Sequence, residues 1–277
     1  MNPIQPISTV ELFPPLGAEL LAVLKSLTRR EWETITACAP WTVKDVTAHL
    51  LGGTLGRLAD RYKATDDANA TPLRYQELVN WINQGNAQWV EAAQRISPSL
   101  LIAFLELTDP QLYALFKSWP EQSPAPVSVA WAGESQSLSW FDVAREYTEK
   151  WLHQQHIREA VGWPLLTQRR WLFPVLDTFM RALPHAYGSV SAPNGTVLKL
   201  TIEGEAGGAW TLQRENGAWI LYAGPNLQAS TQLYLPQEVA WRLFTKGLSP
   251  EQAHPHLRVN GEAELGTAWL NMVAIMA

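Results

Sequence analysis

The sequence holds one cysteine, Cys38, in 277 residues. A single thiol excludes an intrachain disulfide framework and any zinc knuckle built on several cysteines, and it fits a reducing compartment. No histidine stands within several positions of Cys38, so nothing local marks the thiol as a nucleophile and an inert cysteine is expected. Positive charge is also sparse. Lys and Arg number 21 against 26 Asp and Glu, a formal net charge of −5, so the basic footprint of a protein that binds nucleic acid or an anionic membrane is missing. The first residues, Met1-Asn-Pro-Ile-Gln-Pro6, lack the basic and apolar regions of a secretory signal, and no apolar run reaches the length of a bilayer span. A cytoplasmic protein is expected, with neither nucleic acid nor membrane as partner.

What is present is a large apolar complement, 47% of residues against 17% charged. That suffices for a substantial core, and the length favours two domains. From residue 14 to about 163 the apolar residues recur at helical spacing. Helices are expected near 15–28, from Thr42 to Lys63, near 74–96, near 98–118 and from Ser139 to Val161. Thr42 and Ser139 are each followed three residues later by an aspartate, Asp45 and Asp142, which predicts two capping boxes. Beyond Pro164 the texture changes. A helix near 167–183 is followed by period-two segments, Thr196–Ile202, Ala209–Gln213, Trp219–Tyr222 and Gln232–Leu235, with Asn194-Gly195 and Asn216-Gly217 as hairpin turn signals. Helices Gln237–Thr245 and Gly261–Met276 close the chain. The expected fold is α+β in two domains: a helical bundle over 1–163, then helices on one face of an antiparallel sheet over 164–277.

The strongest local signal is Glu149-Lys-Trp-Leu-His153-Gln-Gln-His156. Residues four apart lie one turn above each other, so Glu149 and His153 project from one helical face as two pre-aligned metal ligands. Only six histidines are available for a third. His49 stands out because Val46-Thr-Ala-His49-Leu-Leu places it mid-helix among apolar residues, and facing helices of a bundle commonly assemble such sites. A lone buried histidine is more often a hydrogen-bonded core residue; the ExxxH element on a second helix favours a ligand. Two imidazoles and one carboxylate leave a coordination position open, the pattern of catalytic rather than structural zinc, though the same donors suit Ni, Fe or Mn.

The blocks Trp41-Thr-Val-Lys-Asp-Val-Thr-Ala-His49-Leu and Thr148-Glu149-Lys-Trp-Leu-His153-Gln-Gln-His-Ile-Arg158-Glu-Ala-Val-Gly162 resemble the signatures of mycothiol-dependent maleylpyruvate isomerase-like proteins. These belong to the wider DinB and YfiT-like superfamily of metal-binding four-helix bundles. Ala240-Trp-Arg-Leu-Phe-Thr-Lys-Gly247 and Val259-Asn-Gly-Glu-Ala-Glu-Leu265 resemble the same family's C-terminal domain more loosely. The resemblance implies a DinB-like bundle followed by a sterol-carrier-like α+β domain. It also implies a zinc ion held by His49, Glu149 and His153, and a low-molecular-weight thiol such as mycothiol at the open position. The nucleophile is then no residue of the protein, and the expected activity is isomerisation of, or S-transfer to, a small electrophilic substrate.

Relatives in that family commonly carry Asp where this chain has His156. Its open roles are a fourth ligand, an orienting or substrate-contacting group, and an acid/base. Arg57 and Arg61, two and three turns after His49, either reach the mouth of the site or lie on a solvated face. Arg158 either contacts substrate or caps its helix. Arg242, in the C-terminal signature, is expected to make a contact across the domain interface, as an orienting or substrate-contacting group, and Asp45 either caps its helix or orients His49. The tryptophans are read as packing residues, some of them walls of the pocket. A non-catalytic metal- or ligand-binding protein, lipid binding by the C-terminal domain, and a metal-dependent hydrolase are the alternatives.

Overall fold

A computed structural model describes residues 2–59, 75–224 and 228–275. The chain forms two compact units, one of Ser8–Ser128 with Gln136–Leu166, the other of Met1–Ile7, Val129–Ser135 and Thr167–Met276. A single boundary at 163/164 does not describe this division. Residues near position 2 and near position 130 join the second unit through strand pairing and packing between segments far apart in sequence, which no linear pattern reports.

The first unit is helical: α1 (Phe13–Ser26), the single turn α2 (Arg29–Trp32), α3 (Val43–Leu58), α4 (Tyr75–Ala93), α5 (Pro98–Ser118) and α6 (Ser139–Val161). The expected extension of α3 to Lys63 runs into residues outside those described, as does Arg61. Val43, Val46, Leu50 and Leu51 put one apolar face of α3 into a core shared with Leu20, Leu24, Leu101 and Leu105. The capping box at α3 is formed: Thr42 N donates to Asp45 Oδ2 at 2.9 Å and Asp45 N to Thr42 Oγ1 at 3.3 Å.

The box expected at Ser139 is not formed. Leu138 takes the N-cap position, and Ser139 Oγ donates to the Ser123 carbonyl at 3.1 Å. Asp142 instead accepts from Arg57 and Arg145. The Ser139 N–H that the box would use donates to the Ser123 carbonyl at 2.8 Å, and charge-assisted bonds to two guanidinium groups take the carboxylate. Helix α5 corrects a second expectation, because it is long and apolar enough to cross a membrane by length and composition. In this structure Leu101, Leu105, Leu112 and Phe116 form its buried face, and it packs on α1 and α3.

Two adjacent glycines of α3 differ in role. Trp89 Nε1 donates to the Ala48 carbonyl at 2.7 Å and its ring crosses α3 at Gly52, where an added Cβ would lie 2.5 Å from Trp89 Cδ1. Gly53 has open space. In urea unfolding, Gly53→Ala is expected to stabilise by up to about 1 kcal/mol through helix propensity, whereas Gly52→Ala should cost about 1–3 kcal/mol by overpacking.

The second unit contains a six-stranded sheet in the order β1-β4-β3-β2-β5-β6, formed by β1 (Asn2–Pro3), β2 (Val197–Glu203), β3 (Gly208–Glu215), β4 (Ala218–Ala223), β5 (Thr231–Pro236) and β6 (Arg258–Asn260). The sheet is mixed rather than antiparallel, because β2 and β5 run parallel with Leu200 opposite Leu233. Turn signals report only hairpins between neighbours, and this pair is joined by a longer connection. Asn216 (φ 49°) and Gly217 (φ 80°) make the β3–β4 turn. Asn194-Gly195 leads into β2 and joins no two strands.

Leu198, Leu200 and Ile202 are buried at alternate positions of β2, the alternation of a sheet with one covered face. The helices of this unit are α7 (Arg169–Met180), α8 (Leu183–Ala186), α9 (Gln237–Phe244), α10 (Pro250–Ala253) and α11 (Glu264–Leu270), and their Phe179, Trp241, Phe244 and Trp269 are fully buried. The closing helix is shorter than the expected Gly261–Met276. Gly261 sits at φ 117° in a turn after β6, a conformation that excludes a helical start there.

Candidate metal centre

Helix α6 carries Asp142, Glu146, Glu149, His153 and His156 at alternating spacings of four and three, a single stripe along one side. Opposite it, α3 presents His49 and, two turns later, Arg57. The stripe and these two side chains meet in two places.

Toward the C-terminal end of α6, His49 Nε2 lies 3.0 Å from Glu149 Oε1, and His153 Nε2 lies 3.1 Å from the same oxygen. The two imidazoles pack edge to face with centroids 4.6 Å apart. One donor atom from each of the three residues lies within 4.8 Å of the others. A tetrahedral zinc shell with N and O ligands at about 2.0–2.1 Å has edges of about 3.3 Å, so these separations suit one divalent cation. The rings are 10% and 12% exposed and the Glu149 side chain 36%, which places the open side at the carboxylate. Trp41 stands beside His49, ring centroids 5.3 Å apart.

The electrostatics follow from burial and neighbours. Burial, aided by the neighbouring His153 and opposed by Glu149, lowers His49 below the ordinary histidine value. At His153 burial acts in the same direction, but the adjacent Glu149 carboxylate together with the Cys38 sulfur outweighs it and pushes the group up to about 10. Burial opposes the charge on Glu149, yet His153 and His49 hold it well below the usual carboxylate range. Burial, with His153 nearby, takes His156 down to about 3. A cation entering this set would therefore displace a proton from His153.

Two turns away, Arg57 is neither at the mouth of the site nor on a solvated face. It is buried, with Nη1 and Nη2 donating to the two Asp142 oxygens at 2.9 and 2.7 Å and Nη2 also to Glu146 at 2.7 Å. Arg145 donates to Asp142 at 2.8 Å and to Glu146 at 2.5 Å. Two guanidinium groups thus balance two carboxylates between α3 and α6. Arg158 is buried as well; it donates to Glu19 Oε2 at 2.8 Å and to the Pro164 carbonyl at 2.7 Å, tying the end of α6 to α1. Asp45 is committed to its capping box and to Gln94, not to His49. Arg242 belongs to the α+β unit, where it donates to Glu238 at 3.1 Å and covers the Trp241 ring.

The thiol is not the isolated group expected from its neighbours in sequence. Residues 34–43 form a tight loop before α3, closed by Thr36 N to the Trp41 carbonyl at 2.9 Å and Val43 N to the Thr34 carbonyl at 2.9 Å. The loop hangs Cys38 over α6, with Sγ 3.0 Å from His156 Nδ1 and 3.8 Å from His153 Nδ1. The partners are 115 and 118 residues away, and no local pattern signals the contact.

The family model of the mycothiol maleylpyruvate isomerase N-terminal domain matches residues 13–158. The chain belongs to that family. The matched stretch contains the first signature block, the second as far as Arg158, and His49, Glu149 and His153. Among solved structures, the crystal structure of a histidine-to-alanine variant of the mycothiol-dependent maleylpyruvate isomerase shares 12% identity. It matches with a TM-score of 0.51, covering 92% of this chain and 92% of that one. A second crystal structure of that isomerase has 12% identity, 84% and 86% coverage and a TM-score of 0.48. The ubiquinone synthesis protein UbiJ-SCP2 has 16% identity over 37% of this chain and 84% of its own, with a TM-score of 0.24. At 12% identity the first of these shows a shared fold, a helical N-terminal part followed by an α+β part. No curated protein sequence matches the chain.

Proposed function

We propose that this family member is an enzyme in which His49, Glu149 and His153 hold a divalent cation, Zn2+ by preference, and that it acts on small electrophilic substrates with a low-molecular-weight thiol as cofactor. The observation that carries the reading is the convergence of two imidazoles and one carboxylate from two helices, with the carboxylate side open. A closed shell of four protein ligands would be the structural pattern; three with an accessible side is the catalytic one. Family membership adds mycothiol and maleylpyruvate as the first thiol and substrate to try.

A divalent cation here would favour thiolate over thiol at neutral pH. A thiol held there would supply the nucleophilic sulfur; reversible addition to an activated double bond, with rotation about the resulting single bond, would be isomerisation, and retained addition would be S-transfer. The protein's part is positional. The Arg57–Asp142–Glu146–Arg145 lattice locks α3 against α6 and so fixes the distance from His49 to Glu149. Trp41 packs beside His49 with its ring tilted 39° to the imidazole. A thiol-using activity and the lone cysteine both suit a reducing cytosol.

The test is a panel of thiols, including mycothiol, against maleylpyruvate and other small electrophiles, using zinc-loaded and chelator-treated protein. Turnover should require both thiol and metal, and His49→Ala should abolish it. Turnover of esters or amides without thiol would replace this reading with hydrolysis, and metal binding with no turnover by any pair would replace it with a binding role.

A further inference from the structure

We propose a second cation site, built by Cys38 Sγ, His153 Nδ1 and His156 Nδ1, that takes a soft, thiophilic d10 cation and excludes the first. The three donor atoms lie 3.0, 3.8 and 3.4 Å apart. A tetrahedral shell with zinc–sulfur at about 2.3 Å and zinc–nitrogen at about 2.0–2.1 Å has S–N edges of about 3.5 Å and N–N edges of about 3.3 Å, which the observed triangle brackets. All three residues are half-buried, so the donors are held in place yet reachable. A thiolate with two imidazoles is a softer set than the two imidazoles and carboxylate next to it, and thiolate selects Cu(I), Zn and their heavier relatives. Binding forms one metal–sulfur and two metal–nitrogen bonds and releases to solvent the Cys38 proton and the one on His153 Nδ1.

His153 belongs to both donor sets, through Nε2 to the first and Nδ1 to the second. A neutral imidazole has one lone pair for a metal, and its other nitrogen carries the proton. A cation on Nδ1 leaves Nε2 protonated and donating to Glu149 Oε1, 3.1 Å away, so the first donor set loses a ligand. Soft cations therefore switch the protein off by taking His153. This exclusion rests on the proposed role of His49, Glu149 and His153; the soft site itself does not.

The experiment titrates Cd2+ into full-length metal-free protein under a phosphine reductant, read by the thiolate-to-cadmium ultraviolet absorption and by equilibrium dialysis. The absorption should saturate at one equivalent in the wild type, His49→Ala and Glu149→Gln. It should vanish in Cys38→Ser, and His156→Ala should weaken it by about tenfold or more. No absorption in the wild type, or equal affinity in His156→Ala, overturns the site. Added to zinc-loaded protein, each Cd2+ should release one Zn2+; retention of both overturns the exclusion. A cadmium band in a protein that binds no zinc would defeat the proposed function and leave the soft site standing, and zinc binding without the band would do the opposite.

Discussion

Replacing His153 with alanine is expected to abolish every metal-dependent gain in stability. A cation that binds only the native state adds about 2.7 kcal/mol when present at a hundred times its dissociation constant. Wild-type protein with zinc should therefore unfold at a higher urea concentration than the same protein with chelator, by an amount that grows with zinc concentration. His153→Ala should show the same midpoint in both. The distinguishing feature of this position is that His153 faces Glu149 with Nε2, and Cys38 and His156 with Nδ1. His49→Ala leaves the sulfur-bearing donor set complete and Cys38→Ser leaves the carboxylate-bearing one, so each keeps a response to some cation. His153→Ala breaks both. A chelator-sensitive midpoint in His153→Ala would place the cation elsewhere.

Arg57→Ala is expected to destabilise the protein by about 3–5 kcal/mol, the cost of leaving buried charge uncompensated. The Arg57 side chain is 3% exposed and that of Asp142 0%. Without Arg57, two carboxylates face the single guanidinium of Arg145, with Glu149 one turn further along the same stripe. The paired substitution Arg57→Leu with Asp142→Leu should recover most of the loss, because the desolvation cost of both charges disappears with them. Arg258→Ala is the control: that residue pairs with Glu203 at an exposed position, and its loss should cost at most about 1 kcal/mol. A cost for Arg57→Ala as small as that of Arg258→Ala would mean that the lattice is solvated and does not hold α3 on α6. Because His49 and Arg57 share α3, the same substitution should also weaken zinc binding without touching a ligand.

The parts of this molecule that were legible beforehand depend on short-range periodicity. Helices α1, α4, α5 and α6 begin and end within about three residues of the expected positions, because an amphipathic stripe and its stop signals are written in consecutive residues. The Thr42 cap and the Asn216-Gly217 turn are local in the same sense. So is the alignment of Glu149 with His153, since the helix sets the distance between residues four apart. His49 was singled out by a weaker argument, a histidine mid-helix between apolar neighbours, and the structure sets its Nε2 3.0 Å from Glu149 Oε1.

What the tertiary structure decided is every choice between partners. Asp142 had a serine at capping distance and took two arginines instead, because a buried carboxylate gains more from a full positive charge than from a neutral backbone N–H. Strands β2 and β5 pair in parallel across a connection that no turn signal describes. Cys38 was expected to be inert and lies against two histidines of α6. The sequence alone determined the long helices α1, α4, α5 and α6 and that Glu149 and His153 would share a face. Only packing brought α3 and the Cys38 loop onto that face, because such approaches are set by core shape and by the pairing of buried charges, quantities summed over residues far apart in the chain.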